Sequence, residues 1–188
     1  SAASDVYKRQ VLQSPLHLTV AGRTDAGVHA TGQVAHVDIP RDRLDTRSLA
    51  GDPTRLVRRL ARLLPSDVTI TRVVEAPADF DARFSALRRH YVYRVANQPF
   101  GANPLRARDT ASWHRPLDRA RMQEASQRLL GLNDFSAFCR YREGSTTIRD
   151  LQRFDWEWCD EPLGPVLEAY VTADAFCWSM AVSYTHLT

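Results

Sequence analysis

Only three of the 188 residues are cysteines, and Lys8 is the only lysine beside 24 arginines. Cys139, Cys159 and Cys177 are odd in number, far apart and in no Cys-x-x-Cys arrangement, so neither a disulfide framework nor a zinc site is indicated. We expect three reduced thiols in the core. No apolar run approaches the roughly 18 residues of a membrane helix, and the first thirty residues lack the apolar centre of a secretory signal. The expectation is a cytoplasmic protein that makes no membrane contact. Excess charge is also small, a formal +3, too mild to establish a nucleic-acid partner unless the arginines cluster. What the chain does have is 44% hydrophobic against 25% charged residues, enough to build a core rather than stay disordered. Its length suits one large or two small domains.

Leu16 to Val20 reads as a short strand that enters a loop, Gly22-Arg23-Thr24-Asp25-Ala26-Gly27, and a second strand follows between Gly32 and Ile39. Asp52-Pro53 supplies an N-cap and a first-turn proline. Leu56, Leu60 and Leu63, with Val57, Ala61 and Leu64, then recur at helical spacing as far as Pro65. Arg55, Arg58, Arg59 and Arg62 fall on the opposite face, which is either a solvated surface or a phosphate-facing stripe. Val68, Ile70 and the following valines suggest a strand, and Leu87, Arg89, Tyr91, Tyr93 and Val95 alternate over a longer one. Pro99, Gly101 and Pro104 mark a link, which divides the chain into lobes at 11–97 and 98–180. A second helix is expected from Asp118 to Leu130, with Met122, Ala125 and Leu129 inward and Gly131 as terminator. Phe154, Trp156 and Trp158 alternate, and Leu167 to Ala173 is their hairpin partner across Pro162, Gly164 and Pro165. Short connections favour an α+β architecture, antiparallel sheet with helices on one face.

Arg23, Asp25, His29 and Gln33 surround the glycine-bearing loop. Asp next to Gly commonly forms a structural turn. The chemical reading is an oriented, ionised carboxylate able to act as a nucleophile, close to a backbone that a ligand can approach. A phosphate-cradling loop is a third reading, weakened by the absence of GxxxxGK[ST] and by a strand where a helix should follow. Phe80-Asp81-Ala82-Arg83-Phe84-Ser85-Ala86 precedes Arg88, Arg89, His90 and Tyr91, so that basic and aromatic residues interleave as RNA binding requires. The competing reading is a strand with one aromatic face in the core. His29, His36 and His114 share no metal-ligand spacing, so no metal is expected.

Ala21-Gly-Arg-Thr-Asp-Ala-Gly-Val-His-Ala30, followed by Gly32-Gln33-Val34, resembles the signature of the tRNA pseudouridine synthase A family. Supporting blocks follow in the family's order: Phe80 to Ala86, Tyr91-Val-Tyr93, Gly131 to Phe138, Thr146-Thr-Ile-Arg149, and Ala175-Phe176 through Met180. The resemblance implies two ferredoxin-like lobes around a cleft, a homodimer that binds tRNA, no cofactor, and isomerisation of uridines 38 to 40 of the anticodon stem-loop. It implies that Asp25 is the catalytic aspartate, that Arg23 and Arg83 lie beside the site, and that Tyr91 stacks on the target uracil. Arg55, Arg58, Arg59, Arg62, Arg88 and Arg89 are the candidates for binding the rest of the RNA.

The family's opening Tyr-Asp-Gly and Gly-Trp-Gln signature does not occur before Leu16. Its Val-Arg and helical continuation after Phe176-Cys-Trp-Ser-Met180 is replaced by Ala181 to Thr188. Residues 1–10 and 181–188 are therefore expected to be foreign to the family, both lobes incomplete, and activity reduced because the arginine that pairs with the catalytic carboxylate is missing. An inactive RNA-binding module is the alternative expectation.

Overall fold

The computed structural model describes residues 16–24, 27–140, 143–144, 146–177 and 180, which fall into two compact units. The first contains residues 16–23 and 31–85, and the second contains Thr24, residues 27–30 and the described residues from Ala86 onward.

In the first unit, β1 (Leu18–Val20) and β2 (Ala35–Val37) pair antiparallel, with Thr19 opposite His36. The Ala21 amide extends the ladder by donating to Val34 O at 2.8 Å. Next come α1 (Arg41–Leu44) and a 3-10 turn, Pro53–Arg55, that leads into α2 (Leu56–Leu60). The start is as its sequence dictates: the Asp52 carboxylate accepts the Thr54 amide at 2.9 Å, and Pro53 occupies a position that needs no N–H. The regular helix is shorter than the expected run to Pro65, closing in turns where Leu63 and Leu64 both donate to Leu60 O. Two turns suffice to bring Leu56, Leu60 and Leu63 onto Leu49, Leu44, Ile39 and Val73, and Pro65 offers no amide for a further turn. Leu49 and Leu56 are completely buried, each contributing about 2 kcal/mol of transfer free energy.

The strand expected around Val68 and Ile70 is not formed: none of residues 66–79 is in a strand. Val73 packs on the core, whereas Val68 and Val74 remain exposed. β-branched residues favour a pleated surface, but a strand exists only where an edge accepts its backbone groups.

The second unit is built on a five-stranded sheet in the order β4-β3-β7-β6-β5. Its strands are β3 (Arg89–Ala96), β4 (Ala111–Ser112), β5 (Gly131–Asp134), β6 (Ile148–Cys159) and β7 (Val166–Ala173). All pairings are antiparallel except the short parallel one of Val95 and Ala96 with Ala111 and Ser112. That exception to an otherwise antiparallel pattern follows from the long connection 97–110, which gives the chain room to return in the same direction. The fold is α+β.

Alternation sorts the two faces. Tyr91, Tyr93 and Val95 stand opposite Val171, Ala169 and Leu167, which in turn face Phe154, Trp156 and Trp158. The expected hairpin of β6 and β7 is thus formed. In β6 the buried set switches from Arg149 and Leu151 to Phe154 and Trp156 because Gln152 is an extra residue in the ladder, a bulge that reverses the inward parity. On the other face Arg94 pairs with Glu161 and Glu168, and the Arg153 guanidinium lies 4.9 Å from the Tyr170 ring centroid.

Helix α3 (Arg119–Gln127) lies against the aromatic face, capped by Asp118, whose carboxylate accepts the Arg121 amide at 3.1 Å. Its inward stripe is Met122, Ser126 and Leu129; Ala125, expected inward, is exposed, and Ser126 is buried in its place. Ser126 faces inward because its hydroxyl accepts the Trp156 indole N–H at 2.8 Å. Gln123 accepts the Trp156 amide at 2.8 Å and Gln127 donates to Phe154 O at 3.3 Å, so α3 side chains satisfy the part of β6 that β5 does not reach. Gly131 ends the segment at φ +90°, and the Asn133 side-chain amide donates to Leu129 O and Leu130 O at 3.1 Å each.

One expectation about the cysteines is overturned. Cys139 and Cys177 form a disulfide, their Cα atoms 5.6 Å apart, and only Cys159 remains a free thiol. Thirty-eight residues separate the pair in sequence, and the segments that follow β5 and β7 bring them together. Sequence spacing carries no trace of such a contact.

Candidate active site

Asp25, the expected nucleophile, lies outside the described residues, as does Ala26. Their flanks are described separately in the two units. On one side, the Gln33 side-chain amide donates to Gly22 O at 2.7 Å, while its own Oε1 accepts the Val34 amide at 3.2 Å. One side chain thus ties the start of the loop to the approach of β2 and leaves Arg23 exposed. On the other side, Gly27 has φ +82°, a backbone state that side chains with a Cβ rarely adopt.

The Phe80 to Ala86 block is held by Asp81. Its Oδ1 accepts the amides of Arg83 (2.7 Å) and Phe84 (3.0 Å), and its own amide donates to Ser85 Oγ at 3.1 Å. The buried Ala82 donates its amide to His36 Nδ1 at 2.9 Å, which places the neutral ring's proton on Nε2. His36 also meets the Phe80 ring edge-on at 6.1 Å. This turn presents Arg83 to solvent, with its guanidinium 5.4 Å from the exposed Phe84 ring.

Tyr91 is a half-buried residue on the aromatic face of β3, opposite Val171. Phe176 meets it edge to face, with centroids 4.7 Å apart and planes at 76°. The backbone after β7 is fixed for this contact by Asp174, whose carboxylate accepts the amides of Asp150 (3.1 Å) and Ala175 (2.6 Å). Arg89, a candidate for binding RNA, donates to Asp174 O at 3.2 Å instead of projecting freely; Arg88 is exposed. Burial pushes the neighbouring Tyr93 hydroxyl above the usual phenol range.

The block from Gly131 to Phe138 and the block from Thr146 to Arg149 meet. Asp134 accepts the Thr147 hydroxyl at 2.6 Å and the Ser136 amide at 2.9 Å, and these bonds hold its carboxyl below the ordinary range. Phe135, donating its amide to Thr147 O at 3.0 Å, is fully buried. These motif residues are therefore structural, supporting the sheet that carries Tyr91.

Among the described residues no three His, Cys, Asp or Glu side chains are grouped to hold a metal ion, and no helix is long and apolar enough to cross a membrane. Of the sequence candidates, Arg23, Arg55, Arg58, Arg59, Arg62 and Arg83 belong to the first unit, and Arg88, Arg89 and Tyr91 to the second. Two contributors escaped the sequence reading: Phe176 as the ring against Tyr91, and His36 as acceptor for the Arg83 turn. Each lies within a quoted motif or beside one, but only the fold pairs them.

The chain is 57% identical over 174 residues to tRNA pseudouridine synthase A of Corynebacterium glutamicum, a match covering 92% of this chain and 60% of the relative. It is 53% identical over 179 residues to the protein of that name in Mycobacterium leprae, covering 92% and 61% respectively. Over nine tenths of its own length, then, the chain is similar to proteins named tRNA pseudouridine synthase A. The sequence model described as tRNA pseudouridine synthase matches residues 125–184. A third relative of the same name, from Streptomyces griseus, is 54% identical over 164 residues, covering 87% of this chain and 55% of its own length. The chain spans about three fifths of the length of the relatives it matches. In this chain the described blocks do two kinds of work: Asp81, Asp134 and Asp174 shape turns, and Tyr91 and Phe176 present rings.

Proposed function

We propose that the protein isomerises uridine to pseudouridine in tRNA, at positions 38 to 40 of the anticodon stem-loop, in the cytoplasm and as a homodimer. The observation that carries this reading is the 57% identity, across 92% of the chain, to a protein named tRNA pseudouridine synthase A. Asp25 is the reactive carboxylate. It begins the reaction by attacking C1′ or C6 of the uridine, or by removing the C2′ proton, so that the N1–C1′ bond breaks. The base turns, C5 bonds to C1′, the C5 proton leaves and N1 takes up a proton. Electrons and atoms balance within the substrate, and the reaction consumes no oxidant or reductant.

Tyr91 stacks on the uracil after it leaves the helix, an extrusion that costs a few kcal/mol. Arg23 and Arg83 keep Asp25 ionised and fill the space the nucleotide vacates. Tritium release from C5-labelled uridine in unmodified tRNA tests this reading, with Asp25→Asn as the comparison and circular dichroism as the control for folding. Release by the parent and none by the variant is the expected result. A folded parent that binds tRNA without releasing tritium would overturn the catalytic reading for this chain.

A further inference from the structure

Residues 41–62 carry seven arginines against three aspartates, a local excess of four in a chain whose total is +3. The basic charge that overall composition conceals is therefore concentrated in one segment of the first unit. There, Ser48, Leu49, Arg55, Arg58, Arg59 and Arg62 line an open hollow of about 670 Å³. Of these, Leu49 is fully buried, whereas the four arginines are exposed or half-buried.

The neighbouring carboxylates do not neutralise this rim. Asp52 lies 3.6 Å from Arg55, but it is also committed to the Thr54 amide and hydroxyl at the start of the 3-10 turn. Among the described residues Arg58, Arg59 and Arg62 have no carboxylate within ion-pair distance; Arg59 Nη1 donates only to Ser48 Oγ, at 3.4 Å. The other face of the same segment is spent on packing Leu56, Leu60 and Leu63, which fixes the arginines outward. Contrast Arg94, Arg106, Arg121, Arg128 and Arg153, each of which meets an acidic side chain.

We propose that this hollow is a phosphate-binding subsite that grips the RNA sugar–phosphate backbone away from the reacting uridine. The inference rests on the reading of tRNA as substrate, and it adds the place and the chemistry of a second contact. Guanidinium groups present paired donors in a fork that matches phosphate oxygens, and three without a carboxylate partner can each displace a condensed counterion. The contact carries no base preference, because phosphate contacts position the nucleic acid without reading its sequence.

The test is binding of unmodified tRNA to the whole chain by fluorescence anisotropy across a salt series. It compares the parent with the triple variant Arg58→Ala/Arg59→Ala/Arg62→Ala, the corresponding triple Lys variant, and a control double variant, Arg121→Ala/Arg128→Ala. Circular dichroism accompanies each, and the three substituted side chains lie outside the buried core. The expected result is that the Ala triple lowers the slope of log K against log salt by about two to three, the Lys triple retains most of the slope, and the control leaves it unchanged. An unchanged slope in the Ala triple, or an equal fall in the control, would overturn the proposal. So would an Ala triple that keeps its tRNA affinity while losing only its binding to phosphatidylserine vesicles, which would assign the hollow to a lipid surface. Tritium release is read on the same samples: a silent parent with the expected change in slope removes the isomerase reading and leaves the subsite standing.

Discussion

Tyr91 and Phe176 come from β3 and from the turn after β7, and their rings meet edge to face at 4.7 Å. The relationship bears on the stacking role proposed for Tyr91, because a ring that stacks on a base must itself be held. Phe176 holds one side of it, and the Asp174 turn and the Cys139–Cys177 link hold the segment that carries Phe176.

Phe176→Ala removes that support. We expect a loss of about 1–3 kcal/mol in urea unfolding, since an aromatic pair contributes about 1 kcal/mol beyond the area it buries and this ring is half-buried. If Tyr91 stacks on the substrate, the turnover number should fall more than the tRNA affinity does. Phe176→Leu should recover most of the stability and little of the turnover.

Ser126 supplies the acceptor for the buried Trp156 indole. Ser126→Ala leaves the Trp156 N–H without its 2.8 Å partner in the core between α3 and β6. The expected cost is about 1–3 kcal/mol by denaturant titration. Ala125→Ser, one position away on the exposed side, should change stability by less than about 0.5 kcal/mol.

The disulfide can be counted directly. Thiol titration of the air-exposed, denatured chain should find one group, Cys159, and after reduction three. Closing a loop of this length should raise stability by about 4 kcal/mol on chain-entropy grounds. Cys139→Ser/Cys177→Ser should unfold at the same denaturant concentration with and without reductant, and in a reducing compartment the parent should match it.

Three aspartates make stability sensitive to acid. Hydrogen bonds from Thr147 to Asp134, from Thr54 to Asp52 and from Arg153 to Asp155 lower all three pKa values below the unfolded-state value. Each therefore contributes stability that is fully present above the ordinary carboxyl range, near pH 4, and is lost as pH falls through the lower folded values. Thr147→Val should flatten the acid limb of a stability profile between about pH 4 and 2 and leave the profile near neutrality parallel to the parent's.

Local rules made much of this chain legible in advance. Asp52-Pro53 announces a helical start, Asp118 and Gly131 bracket α3, and the alternation of Phe154, Trp156 and Trp158 against Leu167 to Ala173 marks a hairpin. Such features depend on neighbours a few residues apart, where chain geometry dictates which side chains share a face. The likeness to tRNA pseudouridine synthase A proteins, too, was legible in the loop signature around Asp25 and in the blocks that follow it.

Long-range partnership decided the rest. Val68 to Val74 has the composition of a strand but no edge to join, Ser126 replaces Ala125 on the inward stripe because an indole needs an acceptor, and two distant cysteines meet because separate segments of the second unit bring them together. The bulge at Gln152 reverses a face that simple alternation would have kept. The amino-acid pattern by itself determined which segments seek burial and where turns begin. Which group satisfies each buried N–H, carboxylate and ring was settled only by the tertiary structure, because those partners are neighbours in space alone.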